Sequence, residues 1–167
     1  KEIVTAGSKL YTDMKGPFKI KGVNGEKMYQ GFLCAHSKYL IHRTFAKKSD
    51  AAANLTSVIN SFPFKGNINR YHADGAAELI SKNICNILET AGVKMTYAAP
   101  YTSTDNADIE RNHRTIFESA HSMLLGACMP NKFWTLAVAH SVYLYNIIPT
   151  NTGAGYMTPM KAAFGID

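Results

Sequence analysis

Apolar and polar positions along the chain fall into short period-two runs early and long period-3.6 runs late. Residues 10–14 read as a strand. Residues 27–35, apolar and aromatic, read as a buried one, and residues 39–46, rich in β-formers, as a third. Asn24-Gly25 is a two-residue hairpin signal, flanked before by the basic run 19–23 and after by the strand from Lys27. His36-Ser37-Lys38 is a turn. Three early strands on short turns predict an antiparallel meander. Helical spacing then takes over: Leu55, Val58, Ile59 and Phe62 behind a Ser49 or Asp50 cap, with Pro63 just past the end. Residues 67–74 predict a strand. Ile80, Ile84, Ile87, Leu88 and Ala91 predict a helix stopped by Gly92, and residues 93–97 alternate as another strand. From Ile109, through Ile116, Ala120, Met123 and Ala127, a further helix runs behind an Asp105 or Asn106 cap. Residues 133–148 are apolar on most sides and predict a buried helix ending at Pro149, with Phe133, Trp134 and Tyr143 as core aromatics. Residues 150–156 read as a loop, and Thr158-Pro159 as the opening of a last short helix. Strands first, then strands alternating with helices, predict a mixed sheet with helices on its faces.

The 167 residues suffice for one domain with a sizeable core. With 46% hydrophobic and 18% charged residues, the composition is that of a globular chain. No apolar run reaches membrane-spanning length, and no signal peptide opens the chain. Cys34, Cys85 and Cys128 are far apart in apolar contexts. They predict buried free thiols and neither a disulfide framework nor a zinc site. The six histidines show no zinc-ligand spacing with them. A formal charge of +6 suits a polyanionic partner without requiring one.

The chemistry concentrates in three acids. Asp13 and Asp74 end strand-like runs, and Glu110 sits in the first turn of its helix, where the helix dipole favours a carboxylate. Positions 74 and 110 differ by 36, so 35 residues separate them. Taken singly, each acid is explained as a turn or capping residue. As a set they are hard oxygen donors suited to a divalent cation, which would relieve their mutual repulsion.

The words around the acids resemble a known family. Asn106, Glu110-Arg111 and Arg114-Thr115, the Asp13 segment with its Gly16-Pro17, and the run Met129-Pro130-Asn131-Lys132-Phe133-Trp134 with Ala137 match copia-type LTR retrotransposon integrase cores. Asn146, Pro149, Thr158-Pro159 and Phe164-Gly165 continue the match over nearly the whole chain. The resemblance implies an α/β, ribonuclease H-like fold with a mixed five-stranded sheet flanked by helices. It implies a single catalytic core over residues 1–167, lacking the family's N-terminal zinc module and C-terminal tail. It further implies a DDE-type polynucleotidyl transferase that processes DNA 3′ ends and transfers them into a target. Asp13, Asp74 and Glu110 would be the catalytic and metal-binding acids, with two Mg2+ (or Mn2+) ions clamping an in-line displacement. Arg114, Arg111, His113, Asn106 and Lys15 would be DNA-binding. For Arg114 the alternative to a phosphate contact is an i,i+4 ion pair with Glu110, and for Lys15 it is a solvated lysine. Implied partners are double-stranded DNA (element ends and target), further copies of the chain, no membrane, and a chromatin or transcription-machinery tether through regions outside it. The implied location is the nucleus and the cytoplasmic virus-like particle.

Four positions, in two places, depart from the family pattern. Asp74 is followed by Gly75-Ala76-Ala77-Glu78 where the family writes Asn-Gly-Gly-Glu, and Ala107 replaces a Gly after Asn106. The two alanines either strain that turn or extend the helix after it. These departures define an alternative: a decayed or domesticated core kept as a non-catalytic DNA-binding or protein-interaction module. A ribonuclease H-like nuclease is a third reading, disfavoured by the Asn106–Thr115 motif.

Overall fold

The structure, a computed structural model, describes residues 7–61, 67–74, 76–97 and 107–165. Strands β1 (Lys9–Lys15), β2 (Met28–Cys34), β3 (Leu40–Phe45), β4 (Arg70–Ala73) and β5 (Lys94–Tyr97) form one sheet in the order β3-β2-β1-β4-β5. The β1·β2 and β2·β3 pairs are antiparallel, whereas β1·β4 and β4·β5 are parallel. The predicted meander and mixed five-stranded sheet are both present. Each parallel connection carries a helix, as such crossovers require: α1 (Ala51–Ile59) before β4 and α2 (Lys82–Thr90) before β5. After β5 come α3 (Ala107–Gly126), α4 (Trp134–Ile147) and α5 (Pro159–Phe164).

Side chains leave a strand alternately to its two faces, so β1, β2 and β3 each contribute to two cores. Leu10, Phe32, Cys34, Tyr71 and Ala73 pack with Leu55, Val58, Ile84 and Leu88 of α1 and α2. Tyr29, Leu33 and Leu40 pack on the other face with Ile109, Ile116 and Ala120 of α3 and Val138 and Val142 of α4. Every residue of β2 is buried because both faces of this strand are covered. Odd-numbered positions of β1 therefore face α3, and Asp13 is among them.

Several expectations are corrected. Asp13 does not end its strand; β1 continues to Lys15. Residues 19–23 form no strand, although Gly22 N–H donates to Glu26 O across the turn at 2.8 Å. Instead Phe18 packs against Phe117 and Trp134, and the Trp134 Nε1–H donates to the Ile20 carbonyl at 3.1 Å. Asn24-Gly25 does lie in a tight turn, closed by Gly25 N–H to Gly22 O at 3.0 Å. The segment read as a loop, residues 150–156, contributes a hairpin of β6 (Thr150–Thr152) and β7 (Gly155–Met157). Its strands lack alternation; the turn is stabilised by Thr152 Oγ1, which donates to Gly155 O at 2.7 Å. Of the cysteines only Cys34 is buried, while Cys85 and Cys128 are exposed. Helix α4 is buried along one face alone, leaving Leu136 and Tyr143 more than half exposed. The late stripe of α3 runs to the buried Leu124, not to Ala127, which is exposed. The alanines after Asp74 do not extend α2, which begins at Lys82; Leu79 N–H closes a turn onto Ala76 O at 2.9 Å. Phe62, Pro63 and the Asp105 or Asn106 cap lie outside the described residues. Among the described residues no helix is long and apolar enough to cross a membrane.

Besides its apolar packing, helix α4 is hydrogen-bonded to the sheet through Asn146. Asn146 Oδ1 accepts from Leu40 N–H and its Nδ2–H donates to Leu40 O, both at 2.9 Å. Asn146 thus satisfies both peptide groups of an edge-strand residue, from a position that is 4% exposed. Asn146→Ala leaves those groups buried and unmet, and the expected cost is about 2 kcal/mol. Urea unfolding measures it; a loss below about 0.5 kcal/mol would show that water replaces the amide freely.

Candidate active site

The parallel ladder between β1 and β4 ends at the pair Thr12–Ala73. The next residue on each strand is an aspartate, so Asp13 and Asp74 leave adjacent strands at the point where the strands part. The β4·β5 ladder ends on the same rung, at Ala73–Tyr97. Helix α3 then returns across this end of the sheet with Glu110 exposed in its first turn. The sheet edge thus brings the first two predicted acids together, and α3 brings the third into electrostatic range.

Asp13 is oriented from two sides. Its Oδ1 accepts from Met14 N–H at 2.7 Å, and His113 Nδ1 approaches its Oδ2 at 3.1 Å. That second approach is an ion-pair distance, off the line of a hydrogen bond: neither ring nitrogen of His113 makes a hydrogen bond. The ring is completely buried. It reaches Asp13 because the facing position on β2, paired with Asp13, is Gly31. A Cβ there would stand 2.6 Å from His113 Nε2 and 3.1 Å from the Tyr29 hydroxyl. Tyr29 packs edge-on against His113, with ring centroids 5.0 Å apart. Burial, reinforced by the charge of Asp13, pushes the Tyr29 hydroxyl well above its ordinary range, so it stays protonated.

Asp74 is half-buried, and its Oδ1 accepts from Ala76 N–H at 3.3 Å. Burial first, then the negative charges of Asp13, Glu78 and Glu110, raise its carboxyl above the ordinary 3.8; the Ala76 N–H opposes them. A carboxyl raised in the folded state favours folding only while protonated. That contribution is complete below about pH 3.8 and is lost as pH rises through the raised value. Asp74→Asn is therefore expected to raise the melting temperature at pH 7. Solvent screening keeps the gain under about 1 kcal/mol, or roughly 1–3 °C. The difference from wild type should close on acidification. Melting curves from pH 3 to 7 check this, and an equal or lower melting temperature for the variant at pH 7 would contradict it.

The remaining predicted residues separate. His113 points into the protein, not toward solvent, so the expectation that it contacts DNA is corrected: full burial removes it from any ligand surface. Arg111 and Arg114 are exposed on α3, and among the described residues no ion pair joins Arg114 to Glu110. Lys15 places its ammonium 5.8 Å from the Phe117 ring centroid. Asn106 lies outside the described residues. Glu78 forms an ion pair with Lys48, which holds its carboxyl below the ordinary range, and it stands in the turn before α2. Lys38, reaching from the β2–β3 turn, binds Asp108 in the first turn of α3 at 2.7 Å and so anchors the helix two residues before Glu110. Neither this anchor nor the His113 contact is legible from spacing. The one signal is Gly31 itself, a glycine inside an otherwise large, buried strand, which marks a close approach.

The donor set suits a hard divalent cation: three carboxylates, two of them on adjacent strands, with mutual repulsion evident at Asp74. Among the described residues, no three Asp, Glu, His or Cys side chains already close on one point at metal-holding distance.

Superposition on solved structures decides the architecture. The chain matches the catalytic core domain of BIV integrase with a TM-score of 0.69 at 15% identity, covering 95% of each chain. The fold is that of an integrase catalytic core. A second match, to the simian T-cell lymphotropic virus intasome solved with the PP2A regulatory subunit B56 gamma, has a TM-score of 0.75 at 13% identity. It covers 98% of this chain and 56% of that one. No family model matches the chain. Sequence relatives are retrovirus-related Pol polyproteins of plant transposons. The chain is 27% identical over 144 residues to the retrovirus-related Pol polyprotein from transposon TNT 1-94 of Nicotiana tabacum, covering 84% of this chain and 11% of that protein. It is 30% identical over 87 residues to that of transposon RE1 of Arabidopsis thaliana, covering 52% of this chain and 6% of that protein. An integrase-core fold of this size thus corresponds to about a tenth or less of these relatives.

Proposed function

We propose that this integrase-core domain is a DDE-type polynucleotidyl transferase that processes the 3′ ends of retrotransposon DNA and joins them to target DNA. The observation that carries the reading is the shared end of the β1·β4 ladder, where Asp13 and Asp74 emerge side by side and the charge of Glu110 is felt at Asp74. Asp13, Asp74 and Glu110 would hold the divalent cations, Mg2+ or Mn2+. When bound, these supply Lewis-acid stabilisation of the attacking and leaving oxygens. The chain's own residues fix the acids. Met14 N–H and His113 flank Asp13, Ala76 N–H receives Asp74, and Lys38 anchors the helix of Glu110. The exposed Arg111 and Arg114 stand on that helix to meet DNA phosphate, with Lys15 and Asn106 as further candidates. No side chain is required to form a covalent intermediate.

Double-stranded DNA is the proposed substrate, and the nucleus and virus-like particle the proposed locations. Self-association is supported by the exposed apolar residues Leu136 and Tyr143 of α4. A tether to chromatin or the transcription machinery would lie outside this chain. The test uses the chain expressed with whatever sequence its gene carries on either side, and labelled duplexes ending in the element's terminal sequence. Cation-dependent release of terminal nucleotides and joining into a second duplex, both abolished by chelation, are expected. Duplex binding with no cation-dependent cleavage or joining would instead establish the non-catalytic module that the alanines after Asp74 raise.

A further inference from the structure

His113 is completely buried, yet neither of its ring nitrogens has a hydrogen-bond partner. An apolar side chain would fill the same space without leaving two polar atoms unmet, so packing alone does not account for a histidine here. Its surroundings are specific on three sides. Nδ1 stands 3.1 Å from Asp13 Oδ2; Nε2 occupies the space that any Cβ at position 31 would take; and the edge of Tyr29 holds the ring plane. The opposite oxygen of the same carboxylate is fixed by Met14 N–H at 2.7 Å.

We infer that His113 is a positioning residue for Asp13: wedged through the gap at Gly31, it sets the angle at which the carboxylate meets a divalent cation. The inference rests on the metal reading proposed above. In this arrangement Asp13 is pre-aimed by the α3 helix that also carries Glu110, so two of the three acids keep a fixed relation through one imidazole. Partners of this kind, which touch a ligand without touching the metal, change metal affinity by about 10–100-fold when removed.

Manganese binding to the 167-residue chain, followed by calorimetry, tests this with His113→Leu and His113→Asn. Leucine fills the space without a polar atom, whereas asparagine keeps a polar nitrogen near the place of Nδ1. The leucine variant is expected to bind manganese about 10–100-fold more weakly at an unchanged circular-dichroism spectrum, and the asparagine variant to recover most of the affinity. A role confined to packing predicts the reverse order, since asparagine is the poorer filler of an apolar gap. Equal affinity in wild type and the leucine variant would overturn the inference and leave the metal reading standing. No manganese uptake by wild type would overturn both. If the leucine variant does not fold, the wild-type imidazole 15N spectrum decides. Saturating magnesium is expected to move the His113 Nδ1 resonance, and an unmoved resonance in a chain that binds magnesium overturns the inference.

Discussion

Glu110→Gln is expected to lower cation-dependent DNA joining about a thousandfold while leaving the melting temperature within about 1 °C of wild type. The two halves of this expectation have separate physical origins. Glu110 is exposed in the first turn of α3, so the amide meets no packing constraint. The helix start keeps a second acid, Asp108, paired with Lys38, so the loss of one favourable charge at the dipole is small. Catalysis is affected differently. Cation-assisted stabilisation of the transition state is worth several kcal/mol, and about 1.4 kcal/mol corresponds to each tenfold in rate. A neutral amide keeps the shape of the side chain and removes the charge that would hold the cation. Joining and end-processing assays in manganese, paired with thermal melts, separate the effects. Retained joining in Glu110→Gln would remove this acid from the site. A matching fall in melting temperature would show the loss to be structural.

The second large effect is expected at a residue with no chemistry of its own. Gly31→Ala should cost about 3 kcal/mol, near the upper end for inserting one methyl into a packed interior. The new Cβ would lie 2.6 Å from His113 Nε2 and 3.1 Å from the Tyr29 hydroxyl, and both rings are fully buried. One way out displaces the imidazole from Asp13; the other bends β2 away from β1. Denaturant unfolding gives the stability, and manganese calorimetry tells the two apart, since displacement weakens binding. A stability change below about 1 kcal/mol would mean that the rings rearrange easily. The tight wedge described here would then be wrong. Gly31→Ala combined with His113→Ala should recover part of the loss, because the second change opens the space the first one needs.

Much of the fold was legible because its signals are periodic. Helices α1, α2 and α3 announced themselves by apolar stripes at helical spacing, and the buried strand β2 by a mostly apolar, aromatic run, as a strand covered on both faces has. What failed had weak or competing local signals. Asn24-Gly25 is a true turn, but the basic run before it has no strand pattern of its own, and the contacts of Phe18 and Ile20 set its path. The β6–β7 hairpin is only three residues a side, too short to alternate. Helix α4 looked apolar all round and is one-sided, because sequence hydrophobicity does not say which face a neighbour covers. Spacing and flanking words singled out the three acids as a set, and the fold brings Asp13 and Asp74 to one end of the sheet. Their surroundings were not legible. His113 and Gly31 are 82 positions apart in sequence, and their contact exists only once β2 pairs with β1 under α3.

The end of the β1·β4 ladder at Thr12–Ala73 also sets how the segment ahead of it tolerates changes in length. Deleting or inserting one residue between Lys9 and Asp13, with the ladder held in place, would turn the aspartate onto the face lined by Leu55 and Val58, among hydrocarbon and away from α3. A change of two residues would keep its side and merely slide it along the strand. Length variation in this segment should therefore be accepted in steps of two and rejected in steps of one, a rule that a library of small indels scored for folding would expose directly.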